Sequence, residues 1–193
     1  MKKITVLILF TFLFNSFSFS QLFPKEEKKE YIYGKMVNKK KERIGYFWFD
    51  NKNIFNGQLV YYLKTMETTY AETFYSRKYD YFVSDSLYLE TFEVPIYIGE
   101  TIKIMIPRIV DGEIQLFGVQ VIKKNIFHFF KSIKDNYFIK TRTAKINITK
   151  KQFKEQMKDL IGKDQVLLDK INSGELTYDD LPEIIQSYNQ NNN

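Results

Sequence analysis

The chain has 193 residues, a formal net charge of +6 at pH 7, one His and no Cys. The absence of Cys excludes disulfides, thiolate catalysis, Cys metal sites and lipid attachment through an N-terminal Cys, while a single His excludes His triads and two-His metal sites. So mild a positive surplus suits solubility and attraction to anionic envelope polymers, and it falls short of the density that marks a nucleic-acid partner.

Residues 1–20 have the layout of a secretory signal peptide. Lys2 and Lys3 lead a run of 11 residues over 4–14 that is apolar except for Thr5 and Thr11 and carries no charge. A helix needs about 20 apolar residues to cross a bilayer, so the segment suits export and is too short for an anchor. Ser18 and Ser20 stand three before and one before a cut ahead of Gln21. Cleavage there leaves 173 residues carrying +4, enough for one exported domain, periplasmic or secreted, with no transmembrane span of its own.

Residues 21–30 form a charged leader, and order should begin at Tyr31. Residues 31–148 are rich in Tyr, Phe, Ile, Val and Thr, which fit a pleated, half-buried surface. Segments 30–37 and 43–49 flank a polar spacer, 38–42, of hairpin length, and Gly57 opens a strand over 58–63. The aromatic stretch 68–92 has no helical spacing and predicts two or three short strands. Pro95 and Gly99 bracket another at 96–98, and Ile102, Ile104 and Ile106 alternate along 101–106. Asp111-Gly112 predicts a tight turn into a strand over 113–122; segments 126–130 and 137–140 read as a pair turning at Asp135-Asn136. The sheet should end near Ile148.

From there the period changes to helical. Thr149 with Gln152 forms a capping box, Ile148 with Phe153 a hydrophobic staple, and Phe153, Met157, Leu160 and Ile161 line one face before Gly162, read as a left-handed terminator. Asp164 caps a second helix carrying Leu167, Leu168 and Ile171, ended by Gly174. Thr177 and Asp180 cap a third with Pro182 in its first turn and a stripe of Leu181, Ile184, Ile185 and Tyr188. This cap spans 149–190, with 191–193 as a disordered tail; the Asn-rich end from Asn189 has nothing to pack against and should fray.

Candidate chemistry is sparse. His128 lies in an apolar run, Ile126-Phe127-His128-Phe129-Phe130, where a structural role is the better account. Acidic pairs occur at Glu26-Glu27 and Asp179-Asp180, and Glu90 with Glu93 could face each other across a bend. Glycosidase chemistry needs such carboxylates at a set separation, but the cap position already accounts for Asp179 and Asp180. Asp169 to Asp180 has a calcium-loop outline spoiled by Ile171 at the third position and Asp180 at the twelfth. Lys and aromatics interleave over 123–145, which favours core rings with solvated Lys over a single-strand nucleic-acid groove. Trp48 sits among Tyr46, Phe47 and Phe49, where a core role is expected. Asn147-Ile148-Thr149 matches a glycan acceptor that overlaps the helix cap, and Asp85-Ser86-Leu87 has the form of a short O-glycosylation acceptor. No phosphate-cradling Gly loop, nucleophile elbow or dinucleotide fingerprint occurs, and no cofactor is indicated.

The cut site Ser18-Phe19-Ser20-Gln21, the stretch Val110-Asp111-Gly112-Glu113-Ile114-Gln115-Leu116-Phe117 followed by Tyr137-Phe138-Ile139-Lys140, and the ending from Leu168-Asp169-Lys170-Ile171 through Leu181-Pro182-Glu183-Ile184-Ile185-Gln186-Ser187-Tyr188-Asn189 together resemble an uncharacterised family of small exported Bacteroidota proteins. The resemblance implies a β-rich body, a helical C-terminus and export; it assigns no activity. The expected architecture is α+β: an antiparallel β-rich sheet or partly closed sandwich followed by two or three short helices. The expected function is that of a non-catalytic envelope or secreted module binding a protein or glycan through its sheet face. The alternatives are a polysaccharide hydrolase using paired carboxylates and an apolar-ligand carrier.

Overall fold

The computed structural model describes residues 29–50, 58–97, 100–124 and 131–192. The proposed cut site with Ser18, Ser20 and Gln21, and also Glu26-Glu27 and His128, lie outside the described residues. The strands are β1 (Ile32–Val37), β2 (Glu42–Asp50), β3 (Leu59–Leu63), β4 (Glu72–Tyr75), β5 (Tyr81–Val83), β6 (Tyr88–Tyr97), β7 (Glu100–Val110), β8 (Gln115–Lys124), β9 (Lys131–Lys140) and β10 (Lys145–Ile148). Among the described residues they form one open antiparallel sheet in the order β10-β9-β8-β7-β6-β5-β1-β2-β3-β4. Helices α1 (Phe153–Ile161), α2 (Gln165–Ser173) and α3 (Leu181–Asn191) follow, so the molecule is α+β as the periodicities predict.

The sheet is not flat. In a flat sheet β6 and β9 would lie three strand spacings apart, about 14 Å, yet the rings of Phe92 on β6 and Phe138 on β9 are 5.3 Å apart. The fold-over occurs where β7 pairs with β8 only through Arg108↔Phe117 and Val110↔Leu116, with a register shift between them. The other half curls as well. Gln58, next to β3, accepts a hydrogen bond from Met105 N on β7 at 3.1 Å, although five strand spacings, about 24 Å, would separate them if flat.

Alternation along the strands then sorts the core into layers. On β6 and β7, Phe92, Val94, Ile104 and Ile106 meet Phe117 and Phe138 of β8 and β9, while Leu89 and Met105, on the opposite face, meet Met36, Phe47, Val60 and Phe82 of the curled half. Leu116, Tyr137 and Ile139 point away from β6 and pack on the helices through Met157, Ile161, Ile171, Leu181 and Ile184. Each such side chain contributes about 1.5–3 kcal/mol on burial, which is how helices of 9–11 residues, marginal alone, are held.

Several local expectations change. Asp135-Asn136 is not a turn: β9 runs through it, with Asn136 opposite Val119 and Asp135 opposite Gln120, because a long β8 partner takes up the backbone groups a turn would have left over. Thr149 and Gln152 do bond each other's groups, Gln152 N to Thr149 Oγ1 at 3.3 Å, but they form a turn ahead of α1, which starts at Phe153. Gly162 has φ −55°, right-handed; Asp164 follows so closely, accepting from Leu167 N at 3.1 Å, that the chain passes into α2 without a left-handed residue. Gly174 is left-handed at φ 85°, as its place after α2 predicts.

The Asn-rich end departs furthest from expectation. Asn189 is buried within α3. Its side chain accepts from Ile114 N at 3.0 Å and donates to Ile114 O at 2.8 Å and Asp111 O at 3.2 Å, closing the β7–β8 turn onto the helix. Asn192 Nδ2 donates back to Tyr188 O at 2.9 Å.

Candidate functional site

Three features outside the packed core could carry function. The first is the outer face of β1–β4. Registers Tyr33↔Tyr46, Trp48↔Tyr61 and Leu59↔Tyr75 place these rings on the face opposite Met36, Phe47 and Val60. Tyr33 and Tyr46 have centroids 5.1 Å apart, and Trp48 and Tyr61 4.8 Å apart. Tyr33 is 59% exposed, Ile44 51% and Tyr75 37%, while Tyr46, Trp48 and Tyr61 are half-buried. Trp48 is therefore a half-buried face residue and not a core residue. The physical reason is register: Phe47 and Phe49, its neighbours on β2, take the inward positions.

The second feature is an ion cluster where the sheet folds over. Glu90, on the same face of β6 as Phe92, has a side chain only 7% exposed. Its carboxylate meets Lys140 Nζ of β9 at 2.7 Å and Lys145 Nζ of β10 at 2.6 Å, and Tyr88 OH donates to it at 3.0 Å. Burial acts to raise the Glu90 pKa, but the hydrogen bonds and charges of the two lysines outweigh it and hold the carboxyl below the usual range. Burial, followed by the Glu90 charge, pushes the Tyr88 phenol up. Beside the cluster lies an open cleft of about 450 Å³ lined by Arg77, Asp80, Glu93, Lys103, Lys145 and Asn147 among others. Glu93 is paired there with Lys103 at 3.1 Å.

The third feature is the mouth of the curled half, a cleft of about 240 Å³ lined by Asn38, Lys40, Lys41, Arg43, Phe74, Lys78 and Tyr79. Arg43 lies over the Tyr62 and Phe74 rings at 5.1 and 5.0 Å and pairs with Glu72.

The residues singled out from the sequence are dispersed. Glu90 and Glu93 do not face each other: three positions apart on one strand, they point to opposite faces, and each is already bound by lysine. Asp180 Oδ2 accepts from Thr177 N and Oγ1 at 2.8 and 2.7 Å, the capping box expected, and Asp179 pairs with Lys150. Asp169 bonds Gln165 on its own helix, so the calcium-loop outline is a helix–turn–helix. Tyr137 and Phe138 are core, as read, but Lys140 and Lys145, read as solvated, are the partners of a buried carboxylate. Asp85 and Ser86 are exposed in the β5–β6 turn. No group of three or more acidic or His side chains fit to hold a metal occurs among the described residues. Among them, too, no helix is long and apolar enough to cross a membrane.

Compared with protein-family models, with curated proteins and with solved structures, the chain matches none.

Proposed function

We propose that this chain is an exported, non-catalytic module that binds an envelope glycan through the outer aromatic face of β1–β4. Export rests on the charged, apolar and small-residue segments of 1–20, with cleavage between Ser20 and Gln21. The observation that carries the binding reading is the pair of cross-strand ring contacts, Tyr33 with Tyr46 and Trp48 with Tyr61, on a face where Tyr33 and Tyr75 remain accessible. Such rings offer flat apolar surfaces to the C–H faces of sugars, and the phenol and indole groups supply hydrogen bonds at their edges. Ile44 is exposed beside them and half-buried Leu59 shares the face, so the face is mainly aromatic.

Trp48 is the only tryptophan in the chain, so its fluorescence reports on this face alone. Titrating the chain from Gln21 onward with envelope polysaccharide fragments should change Trp48 emission saturably, and Tyr33→Ala with Tyr61→Ala should remove the response. Emission that responds to envelope proteins and not to glycans would refute the glycan reading and make the face a protein-docking surface. A hydrolase reading has one support, the presence of Asp80 and Glu93 in the larger cleft. Shortening of the fragments during the titration, lost in Asp80→Asn, would favour it over simple binding.

A further inference from the structure

We infer that the mouth of the curled half-sheet is a binding site for a small oxyanion-bearing ligand, the carboxylate or phosphate of a sugar acid, sugar phosphate or free anion. This site is separate from the aromatic face and does not depend on the reading given to it.

The site is built rather than incidental. Three lysines, Lys40, Lys41 and Lys78, line one concavity of about 240 Å³ together with Arg43, whose charge is balanced by Glu72 outside the lining. At about 30 Å³ per water, that is room for roughly eight waters, or one small ligand. Arg43 is held in place by Glu72 and by the flanking rings of Tyr62 and Phe74. Lys40, Lys41 and Lys78 have no acidic partner among the described residues. The turn that carries two of them is fixed: Asn38 Oδ1 accepts from Lys40 N at 2.9 Å and Lys41 N at 2.7 Å, and Asn38 N donates to Lys41 O at 2.9 Å.

Asn38 Nδ2 then donates to Lys78 O at 2.6 Å, so one side chain ties the β1–β2 turn to the segment carrying the third lysine. Like charges gathered on a rigid concavity repel one another, and an anion seated among them relieves that repulsion. The floor, Phe74 and Tyr79, is buried and aromatic, which lowers the local dielectric and strengthens the attraction at the rim. A solvated lysine turn that only keeps a strand end soluble needs neither the tie to Lys78 nor the aromatic floor.

The test is an NMR titration of the chain from Gln21 onward with inorganic phosphate, glucuronate and glucose as separate probes. Saturable shifts confined to the amides of residues 38–43 and 78–79, weakening as salt is added, are expected for one or both anions and none for glucose. A response to phosphate alone assigns a phosphate ligand, a response to glucuronate alone a sugar acid, and a response to both the shared oxyanion chemistry. Lys40→Gln with Lys41→Gln should weaken binding about tenfold or more, and Lys151→Gln with Lys154→Gln on the helical cap should not change it. Asn38→Ala, which leaves every charge in place and frees the turn, should also weaken binding. Non-saturating shifts spread equally over Lys150, Lys151 and Lys154, or binding unchanged in the Lys40/Lys41 variant, would overturn the site and leave only a diffuse counterion cloud.

Discussion

Replacing Glu90 by Gln tests the fold-over of the sheet, because it keeps the shape of the side chain and removes the charge that joins β6 to β9 and β10. The carboxylate is buried and meets two ammonium groups at 2.6–2.7 Å, but those lysine side chains are 33% and 42% exposed. A fully buried pair broken on one side costs about 3–5 kcal/mol and a surface pair about 0–1. The half-solvated lysines can rehydrate, so we expect a loss of roughly 2–3 kcal/mol, read as a lower urea midpoint with an unchanged slope. The pH dependence separates charge from packing. Glu90 has its folded pKa depressed, so its contribution is complete above the ordinary glutamate value of about 4.3 and disappears as pH falls through the depressed one. The gap between wild type and Glu90→Gln should therefore be widest near neutrality and close in acid. Replacing Lys140 and Lys145 by Met reverses the sign: a carboxylate left buried without a cation titrates high, and that variant should gain stability as pH falls. A gap between wild type and Glu90→Gln that stays constant from neutral to acid pH would refute the ion-cluster account and leave only packing.

Asn189→Ala leaves buried Ile114 N and O without their partner and should cost about 2–4 kcal/mol in urea unfolding. Gly112→Ala should be costly too, since Gly112 has φ +144° and an added Cβ would lie 2.4 Å from Asn189 Nδ2, but in the Asn189→Ala background the clash eases to a 3.1 Å approach to the residue 189 Cβ, leaving mainly the backbone strain, about 1–3 kcal/mol; additive costs would show that the turn and the helix are not coupled. Gln58→Ala removes the acceptor for Met105 N at the stretch of β7 where β8 has departed, and should cost about 1–3 kcal/mol while speeding amide exchange at Met105.

The legible parts of the fold were those where one physical signal dominates. Ile102, Ile104 and Ile106 alternate because one face of β7 is covered by β8 and β9. The stripes of α1–α3 repeat at helical spacing because only one side of each helix meets the sheet. What stayed hidden depends on pairings far apart in sequence. Glu90 sits two residues from Tyr88 and two from Phe92, a carboxylate on an apolar strand face. That was a readable sign of a cation facing it, but nothing local says that Lys140 and Lys145 supply it. Asn189 looked like part of a polar tail because its value comes from the backbone groups left over by the irregular β7–β8 turn, 75 residues earlier. Asp135-Asn136 misled for the same reason: turn composition is a weak prior once a neighbouring strand of full length offers a ladder.

The layering also bears on where a partner can bind. Among the described residues the helices cover the outer face of β8–β10, β6 and β7 are covered on both faces around Leu89, Phe92, Ile104 and Met105 but open at Glu93 and Lys103, and the inner face of β1–β4 closes on the core. The outer face of β1–β4 is also left open to solvent, and it is there that the chain places Tyr33, Tyr46, Trp48, Tyr61 and Tyr75. Strand propensity alone would be satisfied on a wet face by Thr and Lys at alternate positions, which would keep the edge strand β4 less prone to association. Cross-strand aromatic pairs add only about 0.2–1 kcal/mol each over smaller residues, a small return for rings left as exposed as Tyr33. A face that gains little in stability from its rings, and risks self-association by showing them, is the face that the proposed glycan would cover.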